Sequence, residues 1–532
     1  MTRTTPAAAT VTGTVGVVGA GTMGAGIAQV AAAAGHQVVL FDTAPGAAEA
    51  AADRVRRRVD RLAASGKTDL GGGDLQLTTA DDLAELAGAG LVIEAVVEDL
   101  TVKRQVFSAL EHVVGDACLL ASNTSSLSPT ALGAALRQPR RLLGLHFFNP
   151  VPAMALVEVV PGLATDPAAV EAAAALVRSW GKTVVVSTAS PGFIVNRVAR
   201  PFYAEAWRVV GEQAAAATTV DAVLTRGAGF RMGPFALMDL IGHDVNLAVS
   251  RQVWTAFGHD PRFEPSLGQQ ALVDAGWLGR KTGRGVYDHG DDRRPPDPKA
   301  SPAAPAPARV VEHGRSGLGH LLARSEVTVE RASSGAAGPD RSVAPGIAGW
   351  EVAGAASVDD AAPGWVELPA GARLMLSHGT TAAAAAARQR RPVVVVDRTA
   401  EEASATCVAV SDGCPPAAAA EAVGLLQAAG LDVFEVGDTP GLIATRTVAM
   451  LVNLAVDALG AGVASAADID TAMQLGTNYP LGPLAWGDLW GPATVVAILD
   501  AMQAVYADGR YRPSPLLRRR ALTGRPLAEE IP

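Results

Sequence analysis

Two residues that could move a proton together lie twelve positions apart in the first third of the chain. His146 lies in a strand-like run, residues 140–150, and Glu158 lies in the next one, residues 155–162. An imidazole exchanges protons near neutral pH, and a carboxylate behind one ring nitrogen fixes its tautomer. The pair could therefore take a hydroxyl proton while hydride leaves the same carbon. The alternative is a structural histidine, hydrogen-bonded to a partner in the protein core.

Other polar residues end strand-like runs in the same region. Residues 90–99 include Glu98 near their end, and residues 117–126 include Ser125. Ligands of open α/β sheets bind at the carboxyl ends of the strands. We therefore expect these two residues to lie at one edge of a sheet with the histidine and the glutamate.

A glycine-rich segment near the start of the chain predicts a dinucleotide site. Residues 15–42 read VGVVGAGTMGAGIAQVAAAAGHQVVLFD, a strand, a turn, a helix over 25–34 and a second strand. The first glycine would make a tight turn, the second would admit a pyrophosphate, and the third would pack the helix on the strand. The helix N-terminus offers N–H groups to the phosphates. The residues predicted to contact the cofactor here are Gly19, Gly21, Thr22, Met23 and Gly24.

An acidic residue after the second strand indicates which dinucleotide binds. Asp42 lies 23 residues after Gly19, where a carboxylate accepts both ribose hydroxyls and repels a 2′-phosphate. This predicts NAD rather than NADP. A purely structural glycine turn and a secretion signal are the alternatives. A signal would need a continuous apolar core, and the glycines interrupt this one.

The composition excludes several classes of protein. The chain has 532 residues, 49% hydrophobic and 18% charged, which predicts a globular protein of several domains. Its mean hydropathy is +0.22, but the sequence has no uninterrupted apolar run of membrane-spanning length. A net charge of −9 offers no basic field for nucleic acid. Three cysteines without metal-ligand spacing predict no disulfide framework and no metal site, and they fit the cytoplasm.

Six motifs in the first half of the chain occur in an order typical of one enzyme family. They are GAGTMGAGIAQV, EAVVEDLTVK, ASNTSSL, GLHFFNPVPAMALVEVV, PGFIVNRV and GRKTGRGVY. Together they resemble the 3-hydroxyacyl-CoA dehydrogenase family, NAD-dependent enzymes that oxidise the 3-hydroxyl group of acyl-CoA thioesters. The resemblance covers about residues 13–290.

The resemblance implies a role for each matching residue. His146 would be the catalytic base, and Glu158 would orient it. Ser125 and Asn196 would hydrogen-bond the substrate oxygen, and Asn149 would lie close to the nicotinamide and the substrate. The residues that would contact the cofactor elsewhere are Glu98, Lys103 and Lys281. A structural alternative for the serine and for Asn196 is to cap a helix N-terminus.

A basic helix predicts where the CoA nucleotide binds. Residues 54–67 read RVRRRVDRLAASGK, with four arginines spaced for one helix face: Arg54, Arg57, Arg58 and Arg61. In the family a helical hairpin at this point contacts CoA, which implies that role for Arg54, Arg58 and Lys67. A solvated basic face is the alternative. The hairpin is short here, with TDLGGGDLQ where a second helix is usual, so the choice of CoA-binding cations stays open.

The second half of the chain repeats the first. TPGLIATR, DIDTAM and GPLAWGDLWG match SPGFIVNR, TVDAVL and GPFALMDLIG at a constant offset of 249 residues, from Pro191 to Pro440, which indicates a duplication. The catalytic residues do not repeat: the register aligns His146 with Val395, Glu158 with Cys407 and Asn196 with Thr445. Residues 310–322 also lack a tight glycine turn. This pattern predicts a degenerate Rossmann-like unit, with a regulatory or acyl-binding pocket as an alternative use.

These patterns together predict an α/β plus all-α protein. The expected parts are a Rossmann-type NAD-binding domain (1–187), a helical domain (188–290), a Pro/Ala-rich linker (291–308), the degenerate unit (309–437) and a second helical domain (438–532). We expect the second helical domain to pack on the first through apolar faces, as an intrachain pseudo-dimer. A homodimer of such chains is an open alternative.

The predicted activity is reversible, NAD-dependent oxidation of an (S)-3-hydroxyacyl-CoA to the 3-ketoacyl-CoA. Short-chain or dicarboxylic substrates are expected, such as 3-hydroxybutyryl-CoA or 3-hydroxyadipyl-CoA, in fatty-acid or aromatic-acid (phenylacetate) catabolism. The alternatives are a sugar-acid dehydrogenase of the L-gulonate type and a non-catalytic NAD-binding sensor. The arginine helix disfavours the first alternative, and the intact set of catalytic residues disfavours the second.

Overall fold

The computed structural model describes residues 13–290, 296–332 and 364–531. All residues predicted for the active site lie in these ranges. Residues 291–295 of the predicted linker and 333–363 of the degenerate unit lie outside the described residues. The chain divides into two compact units, one of Met1–Val198, Ala458–Asn478 and Glu530–Pro532 and one of Ala199–Asp457 and Tyr479–Glu529.

Helices account for much of both units. The α-helices are α1 (Thr22–Ala33), α2 (Ala47–Ala64), α3 (Leu100–Val113), α4 (Pro129–Gly133), α5 (Pro167–Ser179), α6 (Val195–Val198), α7 (Arg200–Gly211), α8 (Ala217–Ala222), α9 (Pro234–Ile241), α10 (His243–Ala256), α11 (Leu267–Asp274), α12 (Gly319–Arg324), α13 (Ala382–Gln389), α14 (Pro416–Ala428), α15 (Ala444–Gly460), α16 (Ala466–Thr477), α17 (Pro483–Trp490), α18 (Pro492–Tyr506) and α19 (Pro515–Thr523). Within the described ranges, no single helix is long and apolar enough to cross a membrane. By length and composition alone, α17 and α18 qualify together, with a bend of 93° between them.

An eight-stranded sheet forms the core of the first unit. Its strands are β1 (Thr14–Val18), β2 (Val38–Phe41), β3 (Leu77–Ala80), β4 (Ala89–Glu94), β5 (Leu119–Ser122), β6 (Leu142–Phe147), β7 (Leu156–Pro161) and β8 (Thr183–Val186). Their order is β3-β2-β1-β4-β5-β6-β7-β8. One apolar cluster joins the sheet to α1, α2 and α5, and a second joins it to α3 and α4. Most strand residues are apolar because helices cover both faces of the sheet. The predicted Rossmann-type sheet is confirmed.

Two details of this sheet differ from the prediction. Strand β7 runs antiparallel to β6, whereas the other neighbouring strands are parallel. Glu158 therefore lies inside β7 and not at the carboxyl end of a strand, as the topology argument had placed it. Helix α1 begins at Thr22 and not at residue 25, because the last residues of the glycine turn already adopt helical geometry.

In the second unit, the described residues form a sheet of seven strands with the degenerate Rossmann-like architecture that the repeat predicted. Its strands are β9 (Arg309–His313), β10 (Thr328–Arg331), β11 (Trp365–Glu367), β12 (Arg373–Leu376), β13 (Val393–Val396), β14 (Ala405–Val410) and β15 (Asp432–Glu435), in the order β10-β9-β11-β12-β13-β14-β15. Strands β14 and β15 and helix α14 lie 249 positions after β7, β8 and α5. Strand β11 departs from the pattern, since it runs antiparallel to both neighbours.

Helices from both predicted helical domains contact each other inside the second unit. The rings of Phe230 and Tyr479 lie 4.9 Å apart, edge to face. Arg446 of α15 is fully buried and forms an ion pair of 3.2 Å with Glu205 of α7. The sequence analysis predicted packing through apolar faces, but this contact is partly polar. A buried guanidinium in this position needs carboxylate and hydroxyl partners.

Asp260 links the same two segments through charge. Its carboxylate accepts hydrogen bonds from Arg262 at 2.9 Å and from Arg512 at 2.5 Å. Burial favours the neutral acid, but these hydrogen bonds and the charge of Arg262 outweigh it and lower the pKa of Asp260 to about 2. The ionised carboxylate therefore stabilises the folded chain.

We expect Asp260→Asn to lower the free energy of unfolding at pH 7 by about 2 kcal/mol. Because the pKa in the folded chain lies below the ordinary value of 3.8, this contribution is complete above that value and is lost as pH falls toward 2. Urea denaturation at pH 7 and at pH 3 measures it, and the deficit should shrink at pH 3. Asp500→Asn, which breaks an exposed pair with Arg518, should change little. An equal deficit at both pH values would contradict this assignment.

Candidate active site

His146 and Glu158 form a buried hydrogen-bonded pair across two strands. The pairing of β6 with β7 places the Cα atoms of these two residues directly opposite each other. Nδ1 of the imidazole lies 2.6 Å from Oε2 of the carboxylate. The histidine is 6% exposed and the glutamate is fully buried. Among the described residues, no side chain or backbone group hydrogen-bonds to Nε2. The imidazole therefore has one nitrogen fixed by a carboxylate and one available to a ligand.

The second oxygen of Glu158 is held by the backbone. Its Oε1 accepts the N–H groups of Ile194 and Val195 at 3.0 and 3.1 Å, where helix α6 begins. Helix N-termini favour negative charge because their N–H groups have no partner within the helix. This arrangement holds the carboxylate in place and leaves Oε2 to the imidazole.

Ser125 and Asn196 come together beside Glu98. The Glu98 carboxylate accepts the N–H of Ser125 at 3.0 Å and the hydroxyl of Thr124 at 2.6 Å. The amide of Asn196 donates to the Ser125 carbonyl at 3.4 Å. The helix-cap alternatives are wrong for both residues, because Ser128 caps α4 and the asparagine lies inside α6.

Lys103 is buried between two carboxylates. Its side chain is 1% exposed, and its ammonium lies 2.6 Å from Glu94 and 3.2 Å from Glu98. Burial opposes ionisation of Glu98, but the Lys103 charge and hydrogen bonds from two hydroxyls outweigh it, so the pKa of Glu98 falls below 4.5. The predicted contact of Lys103 with the cofactor stays a prediction. Glu98, with 36% of its side chain exposed, is accessible.

The glycine turn has the geometry that a dinucleotide requires. Gly19 has a φ of +106°, and a Cβ on Gly24 would lie 1.8 Å from the Gly19 carbonyl oxygen. A Cβ on Gly21 would meet no atom within 4 Å, so the backbone there is open to a ligand. Asp42 accepts the N–H of Ala20 at 2.7 Å, which places its carboxylate beside the turn. These residues fit the pyrophosphate and ribose of NAD.

We expect Gly24→Ala to weaken NAD binding at least about tenfold, because the added methyl clashes with backbone and the turn must open. Titration of the protein with NADH, followed by fluorescence, measures the effect, and circular dichroism shows whether the variant is folded. Gly88→Ala is the matched control, since a Cβ at Gly88 meets no atom within 4 Å. Unchanged NADH affinity in folded Gly24→Ala would contradict the assignment of the turn.

The arginine helix borders a cavity next to the glycine turn. Helix α2 contributes all four predicted arginines to the lining of this cavity of about 370 Å³, whose other lining residues include Gly21, Thr22 and Asn149. Lys67 is exposed beyond the end of α2 and does not line the cavity. Only a short 3-10 helix, Gly72–Asp74, follows α2 before β3. The cavity thus has the positive charge that a phosphate ligand needs.

Lys281 belongs to the second unit, where it forms an ion pair of 2.6 Å with Asp244. Its predicted contact with the cofactor stays a prediction. In the described part of the chain, no cluster of three or more histidine, cysteine or acidic side chains could hold a metal ion.

The second copy contains a carboxylate that the sequence comparison missed. Asp397 follows β13, and its N–H donates to the carbonyl of Cys407 at 2.9 Å. It therefore lies opposite the cysteine, where the ungapped register had placed Val395. The ungapped register is therefore wrong by two residues for β13. The pairing of β13 with β14 is shifted by two residues relative to the pairing of β6 with β7. An acidic residue directly after the VVVV strand was the available signal.

In the second copy, the Asp397 carboxylate takes the place of the Glu158 carboxylate. It follows β13, the counterpart of β6, whereas Glu158 lies in β7. Asp397 Oδ2 accepts the N–H groups of Ile443 and Ala444 at 2.9 and 2.6 Å, and these are the counterparts of the two amides that hold the glutamate. The Cys407 thiol donates to the same oxygen. Burial and the aspartate raise the pKa of Cys407 well above its ordinary value. The second copy has therefore kept the helix anchor and lost the imidazole.

The Rossmann sheet, the glycine turn and the buried histidine–glutamate pair define an NAD-dependent oxidoreductase. The model of the 3-hydroxyacyl-CoA dehydrogenase NAD binding domain matches residues 14–190, and that of the C-terminal domain matches 192–289 and 441–529. The 3-hydroxybutyryl-CoA dehydrogenase reduced Rossmann-fold domain matches residues 374–440. The chain belongs to the 3-hydroxyacyl-CoA dehydrogenase family, and the resemblance inferred from the six motifs is confirmed.

Relatives of two different lengths match the chain. The chain is 43% identical to 3-hydroxyadipyl-CoA dehydrogenase of Escherichia coli (strain K12) over 512 residues, 96% of this chain and 97% of that protein. A 3-hydroxybutyryl-CoA dehydrogenase of Mycobacterium tuberculosis is 42% identical over 286 residues, 52% of this chain and 98% of that protein. The crystal structure of 3-hydroxybutyryl-CoA dehydrogenase from Escherichia coli K12 covers 96% of this chain and 98% of its own, with 42% identity and a TM-score of 0.83.

Proposed function

We propose that this chain oxidises the 3-hydroxyl group of an (S)-3-hydroxyacyl-CoA to the 3-ketoacyl-CoA, reversibly and with NAD. The observation that carries the proposal is the buried pair of His146 and Glu158, joined at 2.6 Å with the second carboxylate oxygen held by two amides. The names of the relatives support a short-chain or dicarboxylic acyl group. Catabolism of fatty or aromatic acids is the corresponding context.

The residues of the site divide the work of the reaction. When bound, NAD would supply the acceptor for the hydride that leaves the 3-carbon of the substrate. His146 Nε2 takes the proton from the 3-hydroxyl, and Glu158 stabilises the imidazolium that forms. Ser125 and Asn196 would donate hydrogen bonds to the substrate oxygen, and Asn149 would lie close to the nicotinamide and the substrate. Glu98 and Lys103 would contact the cofactor, and Lys103 also holds the Glu98 carboxylate.

Oxidation of NADH by purified protein with acetoacetyl-CoA, longer 3-ketoacyl-CoAs and dicarboxylic 3-ketoacyl-CoAs tests this function. We expect turnover of the thioesters and none of L-gulonate in the reverse assay with NAD. Turnover of gulonate alone would favour the sugar-acid dehydrogenase. NADH binding without turnover of any substrate would favour the non-catalytic sensor. The relative rates with the three thioester classes identify the acyl group.

The cavity beside α2 supports a CoA-binding role for its arginines. We expect Arg58→Ala to raise the KM for acetoacetyl-CoA about tenfold, since a phosphate contact is worth roughly 1–2 kcal/mol, and to leave kcat and NADH affinity near normal. Arg178→Ala is the matched control and should leave the KM unchanged, because Arg178 is exposed on α5 and does not line the cavity. The acetoacetyl thioester of pantetheine, which lacks the nucleotide, should show no difference between the variants. An equal or larger effect of Arg178→Ala on the KM for acetoacetyl-CoA would contradict the assignment.

The assembly and location of the chain are proposed on the same basis. We infer that residues 188–290 and 438–532 act as paired helical domains within one chain, supported by the contacts of Arg446 and Tyr479. A cytoplasmic location and the domain boundaries predicted from the sequence stay predictions. Sedimentation measurements at several protein concentrations distinguish a monomer from a homodimer.

A further inference from the structure

One tight turn supplies both the amides that hold Glu158 and an aromatic ring that contacts His146. In this turn Gly192 and Phe193 have φ values of +75° and +48°, and the N–H of Phe193 donates to the Ser190 carbonyl at 2.8 Å. A φ above zero is unusual for a bulky residue. The next two residues present their N–H groups to the glutamate. The ring of Phe193 is 1% exposed, and its centroid lies 5.8 Å from that of the imidazole.

The hydrogen bond to Glu158 does not by itself fix the plane of the imidazole. A single bond at Nδ1 sets the tautomer, but the ring can still tilt about the direction of that bond. Two aromatic rings limit this motion. Phe193 meets the imidazole at an angle of 62°, and Phe148 meets it at 49° with its centroid 4.4 Å away. Because Nε2 must face the substrate hydroxyl, such a tilt would misalign proton transfer.

The second copy shows that the backbone of the turn does not require phenylalanine. Gly441 and Leu442 occupy the same positions with φ values of +72° and +50°, and the N–H of Leu442 donates to the Thr439 carbonyl at 3.2 Å. The next two amides hold the Asp397 carboxylate. The turn is thus the same in both copies, and it carries leucine where there is no imidazole to orient.

We propose that Phe193 is a positioning residue, whose ring fixes the plane of the His146 imidazole so that Nε2 faces the substrate hydroxyl. Its kinetic consequence rests on the proposed function, whereas the orientation of the imidazole does not. The turn therefore couples two requirements, since it holds the carboxylate through its amides and the imidazole through its side chain.

The variant Phe193→Leu tests this proposal with the residue that the second copy carries. We expect kcat with acetoacetyl-CoA to fall about tenfold, while the KM for both substrates stays within about twofold. With ¹³C-labelled histidine, the ring resonances of His146 should broaden or shift, because the imidazole samples more than one orientation. They are identified by their loss in His146→Gln. Phe107→Leu, at a buried phenylalanine on the other side of the sheet, should change neither readout.

The possible outcomes distinguish a positioning role of Phe193 from a substrate contact by the same side chain. Folded Phe193→Leu with unchanged kcat and unchanged His146 resonances overturns the proposal. A lower kcat with unchanged resonances also overturns it, and makes Phe193 a substrate contact instead. If the leucine variant does not fold, Phe193→Met is measured in the same way. If the unsubstituted protein fails to turn over any thioester, the proposed function fails, and the resonances alone decide the positioning role.

Discussion

Replacing His146 with glutamine is expected to lower kcat with acetoacetyl-CoA at least about 100-fold and to leave NADH affinity near normal. Glutamine can still hydrogen-bond to Glu158, so the buried carboxylate keeps a partner. It has no atom that accepts a proton near neutral pH, however, and the substrate hydroxyl loses its base. Steady-state kinetics and a fluorescence titration with NADH measure the two quantities separately.

His112→Gln is the matched control for this variant. His112 is exposed on α3, far from β6 in sequence, and bonds only to the Ser108 carbonyl among the described residues, so its replacement should leave kcat unchanged. An unaltered rate in His146→Gln would remove the histidine from the mechanism. A loss of NADH binding in the same variant would instead show that the substitution disturbs the cofactor site.

Replacing Glu158 with glutamine should lower kcat about 10³-fold or more, by analogy with the loss of the carboxylate behind a catalytic histidine. Two amides donate to Oε1, so the amide oxygen of glutamine must stay there. Its NH₂ group then faces His146 Nδ1, which has to accept the hydrogen bond. The proton of the neutral imidazole moves to Nε2, and Nε2 can no longer take the substrate proton. The substitution therefore selects the wrong tautomer without removing a side chain.

Kinetics and histidine NMR together check this prediction. The ¹⁵N shifts of His146 should show a protonated Nε2 in Glu158→Gln and a protonated Nδ1 in the unsubstituted protein. Glu111→Gln is the control, because Glu111 is also buried and also accepts two backbone N–H groups, those of Arg137 and Gln138. It should lower stability and leave kcat unchanged. An equal loss of kcat in both variants would attribute the effect to general damage to the fold.

Much of the site could be predicted from the sequence because its signals are local. The glycine turn is encoded by three glycines whose spacing meets separate steric demands. At Gly24, for example, an added Cβ would lie 1.8 Å from the Gly19 carbonyl oxygen. The duplication was also visible, since the offset of 249 residues places β14 on β7 and β15 on β8. The motifs around His146 and Glu158 are sufficient by themselves to identify the family.

Predictions that depended on strand pairing were less successful. Topology alone placed Glu158 at the carboxyl end of a parallel strand, but β7 is antiparallel and presents the glutamate from its interior. The ungapped repeat aligned His146 with Val395, whereas the pairing of β13 and β14 places Asp397 there. A shift of two residues leaves no trace in the apolar pattern, because the side chains of a strand repeat with a period of two.

The sequence by itself determined the family, the cofactor turn and the two residues that form the proton-transfer pair, because each is encoded by residue types at fixed local spacing. Only the tertiary structure decided what holds that pair: two amides at the start of α6 on one carboxylate oxygen, and the ring of Phe193 against the imidazole. It also decided that Lys103 is buried in an ion pair with Glu94. Burial and long-range hydrogen bonds arise from segments brought together in space, and no local pattern in the chain records them.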